Sequence, residues 1–143
     1  MRTHWNPVLP DLIPVVKAGA AYFAAVFAAA FILGALRVIA VAPMLGETGA
    51  VLLESPVILI LSWIVSTRAT RHYNLGVGLV PRLLMGAIAF TLLMSVEFGL
   101  AIIMFQRSAA EYFASYRTAS GVIGLIAQLA FAIVPTIQRL RRH

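Results

Sequence analysis

The stretch Leu36–Ser62, LRVIAVAPMLGETGAVLLESPVILILS, decides how this chain is read. It holds Arg37, Glu47 and Glu54 inside sequence that is otherwise almost wholly apolar. Charges are costly in a low-dielectric setting, so the surroundings of these three side chains are the most informative feature of the chain. Pro43, Gly46 and Gly49 lie between Arg37 and Glu54 and predict a helix break in that region. Pro56 removes a backbone donor close to Glu54 and predicts a kink beside the carboxylate.

Apolar sequence continues on both sides of this stretch. The 143 residues are 62% hydrophobic and 11% charged, against about 45–50% and about 25% in soluble domains. That balance defines an integral membrane protein, and the length fits one domain, residues 1–143. Four apolar runs stand out, at approximately 18–42, 48–67, 83–106 and 119–138. Each is long enough for a hydrocarbon core that takes about 20 helical residues to cross. The expected fold is therefore all-α: an integral-membrane four-helix bundle, up-down-up-down, with a short interfacial helix between the third and fourth spans. Residues 1–17 carry Pro7, Pro10 and Pro14 and are expected to form an extended cytoplasmic lead-in, with Trp5 as an interfacial anchor. The uncharged run that follows is longer than the ~7–15-residue core of a secretory signal, so it reads as a first span.

The net charge of +6 does not point to nucleic acid, because the basic residues cluster at the ends of apolar runs. There they act as topology signals and as contacts for anionic lipid, above all Arg68, Arg71, Arg139, Arg141 and Arg142. Arg2, Lys17, Arg82 and this set fall on one side of the predicted spans. Arg37, Arg107 and Arg117 fall on the other. Both termini are accordingly expected in the cytoplasm, with the chain in the inner membrane.

Small residues recur at helical spacing. Ala20, Ala24 and Ala28 form one row, Ala21, Ala25 and Ala29 another, and Ser95 and Gly99 a further close-packing pair. Such faces let helix backbones approach, either within the bundle or between copies in a homo-oligomer or a larger membrane complex. Ser108 and Glu111 have the spacing of a capping box and predict the start of the short helix that carries Tyr112, Phe113 and Tyr116 to the headgroup boundary.

Depth arithmetic brings the polar residues together. Glu54 lies about 21 Å of helix from the cytoplasmic edge at Arg68, and Glu97 about 22 Å from the edge at Arg82. Gln128 lies roughly 16 Å above Arg139. Arg37, higher up, can reach down toward the acids with its long side chain. Glu54, Glu97, Arg37 and Gln128 thus form a candidate intramembrane polar site, and Glu47, Tyr112 and Tyr116 an outer polar and aromatic set. Two carboxylates at one depth on antiparallel neighbours suit a shared proton. In the structural alternative, Arg37 pairs with Glu54 or Glu97 while the other carboxyl stays protonated and hydrogen-bonds across the bundle.

Several chemistries have no residues to support them. Cysteine is absent, which removes disulfides and thiolate or cysteine–metal chemistry. His4, His72 and His143 all fall outside the spans, so no haem is expected. The motifs of zinc proteases, serine hydrolases and nucleotide-binding loops are missing, and no catalytic residue, metal or cofactor is assigned. The leading expectation is a membrane subunit or accessory scaffold. The alternative is a small proton-coupled transporter or channel that acts as an oligomer through Glu54 and Glu97. A third reading is a lipid-modifying enzyme built on Arg37, Glu47, Glu54 and Tyr112 or Tyr116.

Overall fold

The computed structural model describes residues 11–141; the Trp5 anchor, Arg142 and the prolines at 7 and 10 lie outside it. Among the described residues the chain is all-helical: α1 Leu12–Leu36, a π-helical turn Arg37–Val41, α2 Ala42–His72, α3 Leu79–Ile103, α4 Ala109–Ala114 with a 3₁₀ turn Ser115–Arg117, and α5 Ala119–Leu140. Three helical runs are long and apolar enough to cross a membrane: Leu12–His72, Leu79–Ile103 and Ala119–Leu140.

Helix α1 starts earlier than its prolines suggest. Asp11 caps it, its carboxylate accepting from the Ile13 N–H at 3.2 Å. Pro14 then falls in the first turn, where no backbone N–H has a helical partner to lose. The alanine-rich segment that follows propagates the helix with little entropic cost.

The first run turns back on itself at Gly46, where φ 75° and ψ 168° leave the helical region. That combination is essentially restricted to glycine. In one straight helix Arg37 and Glu54 would lie about 25 Å apart, yet their side chains meet at 3.1 Å. The π-helical turn just before the reversal lets the Ala42 N–H reach the Arg37 carbonyl. It also continues the helix through 38–45 rather than ending it at Pro43. Pro56 keeps helical dihedrals, since Gly46 alone departs from them within α2. The break belongs to the glycine and not to the proline beside Glu54.

The long helices pack as a ring: α1 on α2, α2 on α5, α5 on α3 and α3 on α1. Helices α2 and α3, consecutive in sequence and expected as neighbours, lie diagonally across the ring with no close backbone approach between them. The turn at 73–78 is wide enough for this because Asn74 and Gly76 take positive φ, 56° and 66°, and redirect the chain. The helices also differ from the apolar runs in extent. Helix α2 continues to His72, and α3 begins at Leu79 and stops at Ile103.

Val15, Ala18, Tyr22 and Val26 of α1 meet Met85, Ala89 and Leu93 of α3 and Phe131 of α5 in the core. Proline chemistry fixes one of these contacts. Pro135 has no N–H to offer the Phe131 carbonyl one turn earlier, and the buried Tyr22 hydroxyl donates to that carbonyl at 2.6 Å. The two rings stack with centroids 4.3 Å apart. Helices α3 and α5 touch backbone to backbone at Gly86, where a Cβ would run into the Ala132 carbonyl. Gly99, expected to be a close-packing residue, has open space around it.

The outside of the bundle is apolar. Phe31, Ile32, Val38, Ile39, Met44 and Leu45 are all more than half exposed, far beyond the scattered apolar surface of a soluble monomer. Ala24, Ala25 and Ala28 also face outward, so much of the alanine-rich face of α1 is not used within the fold. The helices are apolar enough to suit a membrane protein.

Candidate functional site

Arg37 is carried by the π-helical turn, Glu54 by α2 beyond the reversal, Glu97 by α3 and Gln128 by α5. All four line one cavity of about 140 Å³. Arg37 and Glu54 form an ion pair at 3.1 Å, with side-chain exposures of 32% and 15%, which puts Arg37 at the rim. On the opposite side, Gln128 Nε2 donates to Glu97 Oε2 at 2.6 Å and ties α5 to α3. Arg37, Glu54 and Glu97 therefore share the lining of one cavity, with the ion pair between Arg37 and Glu54.

The α2 and α3 carboxylates share the cavity although the backbones of their helices do not approach each other. They reach it from opposite corners of the ring, and the cavity occupies its centre. Its floor is Val26, Leu93 and Phe131, all members of the packed core.

The hydrogen-bonding balance of the walls is lopsided. Ser55 spends its hydroxyl proton on the Val51 carbonyl at 2.7 Å, so toward the cavity it can only accept. With the Gln128 amide nitrogen committed to Glu97, its Oε1 is buried without a hydrogen-bond partner. Glu54 Oε2 is within ion-pair distance of Arg37 but lacks an aligned hydrogen bond. Buried polar atoms are normally satisfied by protein, water or ligand, and here the surplus consists of acceptors.

Of the outer set, Glu47 is exposed just past the Gly46 reversal. Tyr112 is buried, packs edge-on against Phe98 with centroids 5.2 Å apart, and shares a 2.6 Å hydrogen bond with the Tyr116 hydroxyl. Ser108 caps their helix by accepting from the Glu111 N–H at 3.1 Å. Burial pushes both phenols above the usual tyrosine range, and the Glu97 carboxylate acts on both in the same direction. The tyrosine pair therefore stands close to Glu97, on α4 and its 3₁₀ extension.

Two polar features escaped sequence reasoning. Arg82, taken as a loop charge, is 1% exposed. It lies in the first turn of α3, where Nε and Nη2 donate to the Gly76 carbonyl at 2.8 and 2.6 Å and Nη1 donates to the Pro135 carbonyl at 3.3 Å. Gln138 joins α5 to α2: its Nε2 donates to the Trp63 carbonyl and Thr67 hydroxyl, both at 2.8 Å, and its Oε1 accepts from Ser66 at 2.7 Å. The spacing of Ser62, Ser66 and Thr70, on one face of an apolar helix, was the available signal for the second.

Comparison with protein-family models, with curated proteins and with solved structures returns no match. The described residues form an all-helical fold with helices apolar enough to cross a membrane around a central charged cavity.

Proposed function

We propose that the chain crosses the inner membrane four times, with both termini in the cytoplasm, and that its central cavity is the proton-linked binding site of a small carrier. In this reading the reversal at Gly46 separates two crossings within the first helical run, and α3 and α5 are the other two; the non-helical dihedrals at Gly46 support it. The observation that carries the functional reading is the charge balance of the cavity. One guanidinium faces two carboxylates within about 140 Å³, which leaves one negative charge unmatched. An unmatched charge inside a membrane is expensive, so the cavity favours a state with one bound proton or one bound cation. Exchange of one for the other is the elementary step of a proton-linked carrier. The proton belongs on Glu97, whose hydrogen-bond partner Gln128 is neutral, rather than on Glu54, which faces Arg37.

The experiment is a proton count on purified protein, with an indicator dye reporting uptake on acidification. Wild type should take up one proton more than the Glu54→Gln/Glu97→Gln double variant in the acid-to-neutral range. Equal uptake would remove the carrier reading.

A subunit role is the second reading, favoured by the outward alanines at 24, 25 and 28, which suit close approach by another helix. Copurification in mild detergent separates the two. A larger partner in fixed stoichiometry supports the subunit role, and a homogeneous preparation of this chain alone supports the carrier.

A further inference from the structure

The lining of the cavity also specifies the chemistry of what it would bind. Resting on the proton-linked reading, we propose that the cavity takes a small monovalent organic cation bearing N–H donors, of the primary alkylammonium class. Three properties of the cavity lead to this class.

The first is charge. The unmatched negative charge between Arg37, Glu54 and Glu97 selects a monocation over a neutral solute or an anion. A dication would leave an excess positive charge in place of the negative one.

The second is hydrogen bonding. Gln128 Oε1 is a buried acceptor lacking a hydrogen-bond partner, Ser55 offers only lone pairs, and Glu54 Oε2 has Arg37 beside it at 3.1 Å with room for a further donor. The one strong donor in the lining, Arg37, already faces Glu54. A ligand that supplies N–H donors satisfies these atoms, whereas a quaternary ammonium leaves Gln128 Oε1 unpaired at a desolvation cost.

The third is size and wall chemistry. A cavity of roughly 150 Å³ accommodates benzene in a well-studied case, so about 140 Å³ admits a ligand of a few heavy atoms. Phe27, Ala30, Ile58 and Leu93 supply apolar wall, which suits a short alkyl tail.

Propylammonium, tetramethylammonium and propionamide separate these contributions, being respectively a cation with donors, a cation without donors and a neutral donor of similar size. Binding is followed by calorimetry on purified wild-type protein, and proton release by an indicator dye. The expected result is saturable propylammonium binding with release of one proton. Tetramethylammonium should bind about tenfold more weakly or worse, the loss of a charge-assisted hydrogen bond, and propionamide should show no saturable binding. Glu97→Gln should abolish the proton release. Gln128→Met, which keeps both carboxylates, should weaken propylammonium more than tetramethylammonium, with circular dichroism verifying that both variants fold.

Equal affinity for the two cations would overturn the proposal. So would the absence of saturable propylammonium binding in a protein that still takes up the extra proton, since water would then be the occupant and the proton-linked reading would stand alone. If that extra proton is also missing, both readings fall.

Discussion

Arg37 and Glu54 meet at 3.1 Å across a chain reversal, and Gly46 makes that reversal. The pair is neither a surface ion pair, worth about 0–1 kcal/mol, nor a fully buried one, whose disruption costs about 3–5 kcal/mol. With Arg37 one-third exposed and Glu54 mostly covered, Arg37→Gln should cost about 1–2 kcal/mol, between those limits. Adding Glu54→Gln should return part of that loss, because no unpaired carboxylate is then left behind. Thermal unfolding of the single and double variants in detergent checks the coupling; strictly additive losses would mean that the two side chains do not interact.

Gly86 and Gly99 make opposite predictions on the same helix. Gly86→Ala drives a methyl into the Ala132 carbonyl, a backbone atom that cannot rotate away, and should cost about 1–3 kcal/mol or more as α3 and α5 separate. Gly99→Ala meets open space and should be neutral or stabilising by about 0.4–1 kcal/mol through reduced chain entropy. Melting temperatures of the two variants should therefore move in different directions, and a comparable loss in both would contradict the close seam at Gly86.

Tyr22 and Pro135 should be energetically coupled although they never touch in sequence. Tyr22→Phe leaves the Phe131 carbonyl without the hydroxyl that now serves it, at about 1–3 kcal/mol. Pro135→Ala supplies the missing helical N–H, so the double variant should lose less than Tyr22→Phe alone. A double-mutant cycle on thermal stability measures this, and a double variant as unstable as the sum of the two singles would argue against the compensation.

The Tyr112–Tyr116 pair gives an alkaline signature. Burial holds both hydroxyls above the ordinary tyrosine range in the folded protein. An acid whose folded value is raised contributes stability that is intact below its unfolded value of about 10 and is lost as pH rises beyond it. Spectrophotometric titration should find these two tyrosines ionising later than the exposed tyrosines of the unfolded chain, with stability falling only above about pH 10. Ionisation of all tyrosines together at the ordinary value would contradict the buried placement.

Helices long and apolar enough to cross a membrane were legible in the sequence, because length and composition alone determine them. Constant helix rise put Glu54 and Glu97 at matching distances along their helices, and in the structure both side chains line one cavity. Ring order was not legible: turn length permitted α2 and α3 to be neighbours, whereas the packing places them on a diagonal. The burial of Arg82 was hidden for a related reason. A basic residue at the end of an apolar run looks the same whether it snorkels to solvent or turns inward to cap the carbonyls of Gly76 and Pro135. Close backbone approach at Gly86 rather than Gly99 depends on which helix face meets α5, and that follows from the ring order.

In the proposed carrier the cavity holds one exchangeable proton, on Glu97. Infrared difference spectroscopy between acidic and neutral pH tests this placement most directly, because the carbonyl stretch of a protonated carboxylic acid is resolved from that of a carboxylate. Wild type should show a carboxylic-acid signal that disappears in Glu97→Gln and is weakened in Glu54→Gln, where Arg37 is left to balance Glu97 alone. A signal that persists in Glu97→Gln, or a wild-type spectrum with no such signal, would contradict it.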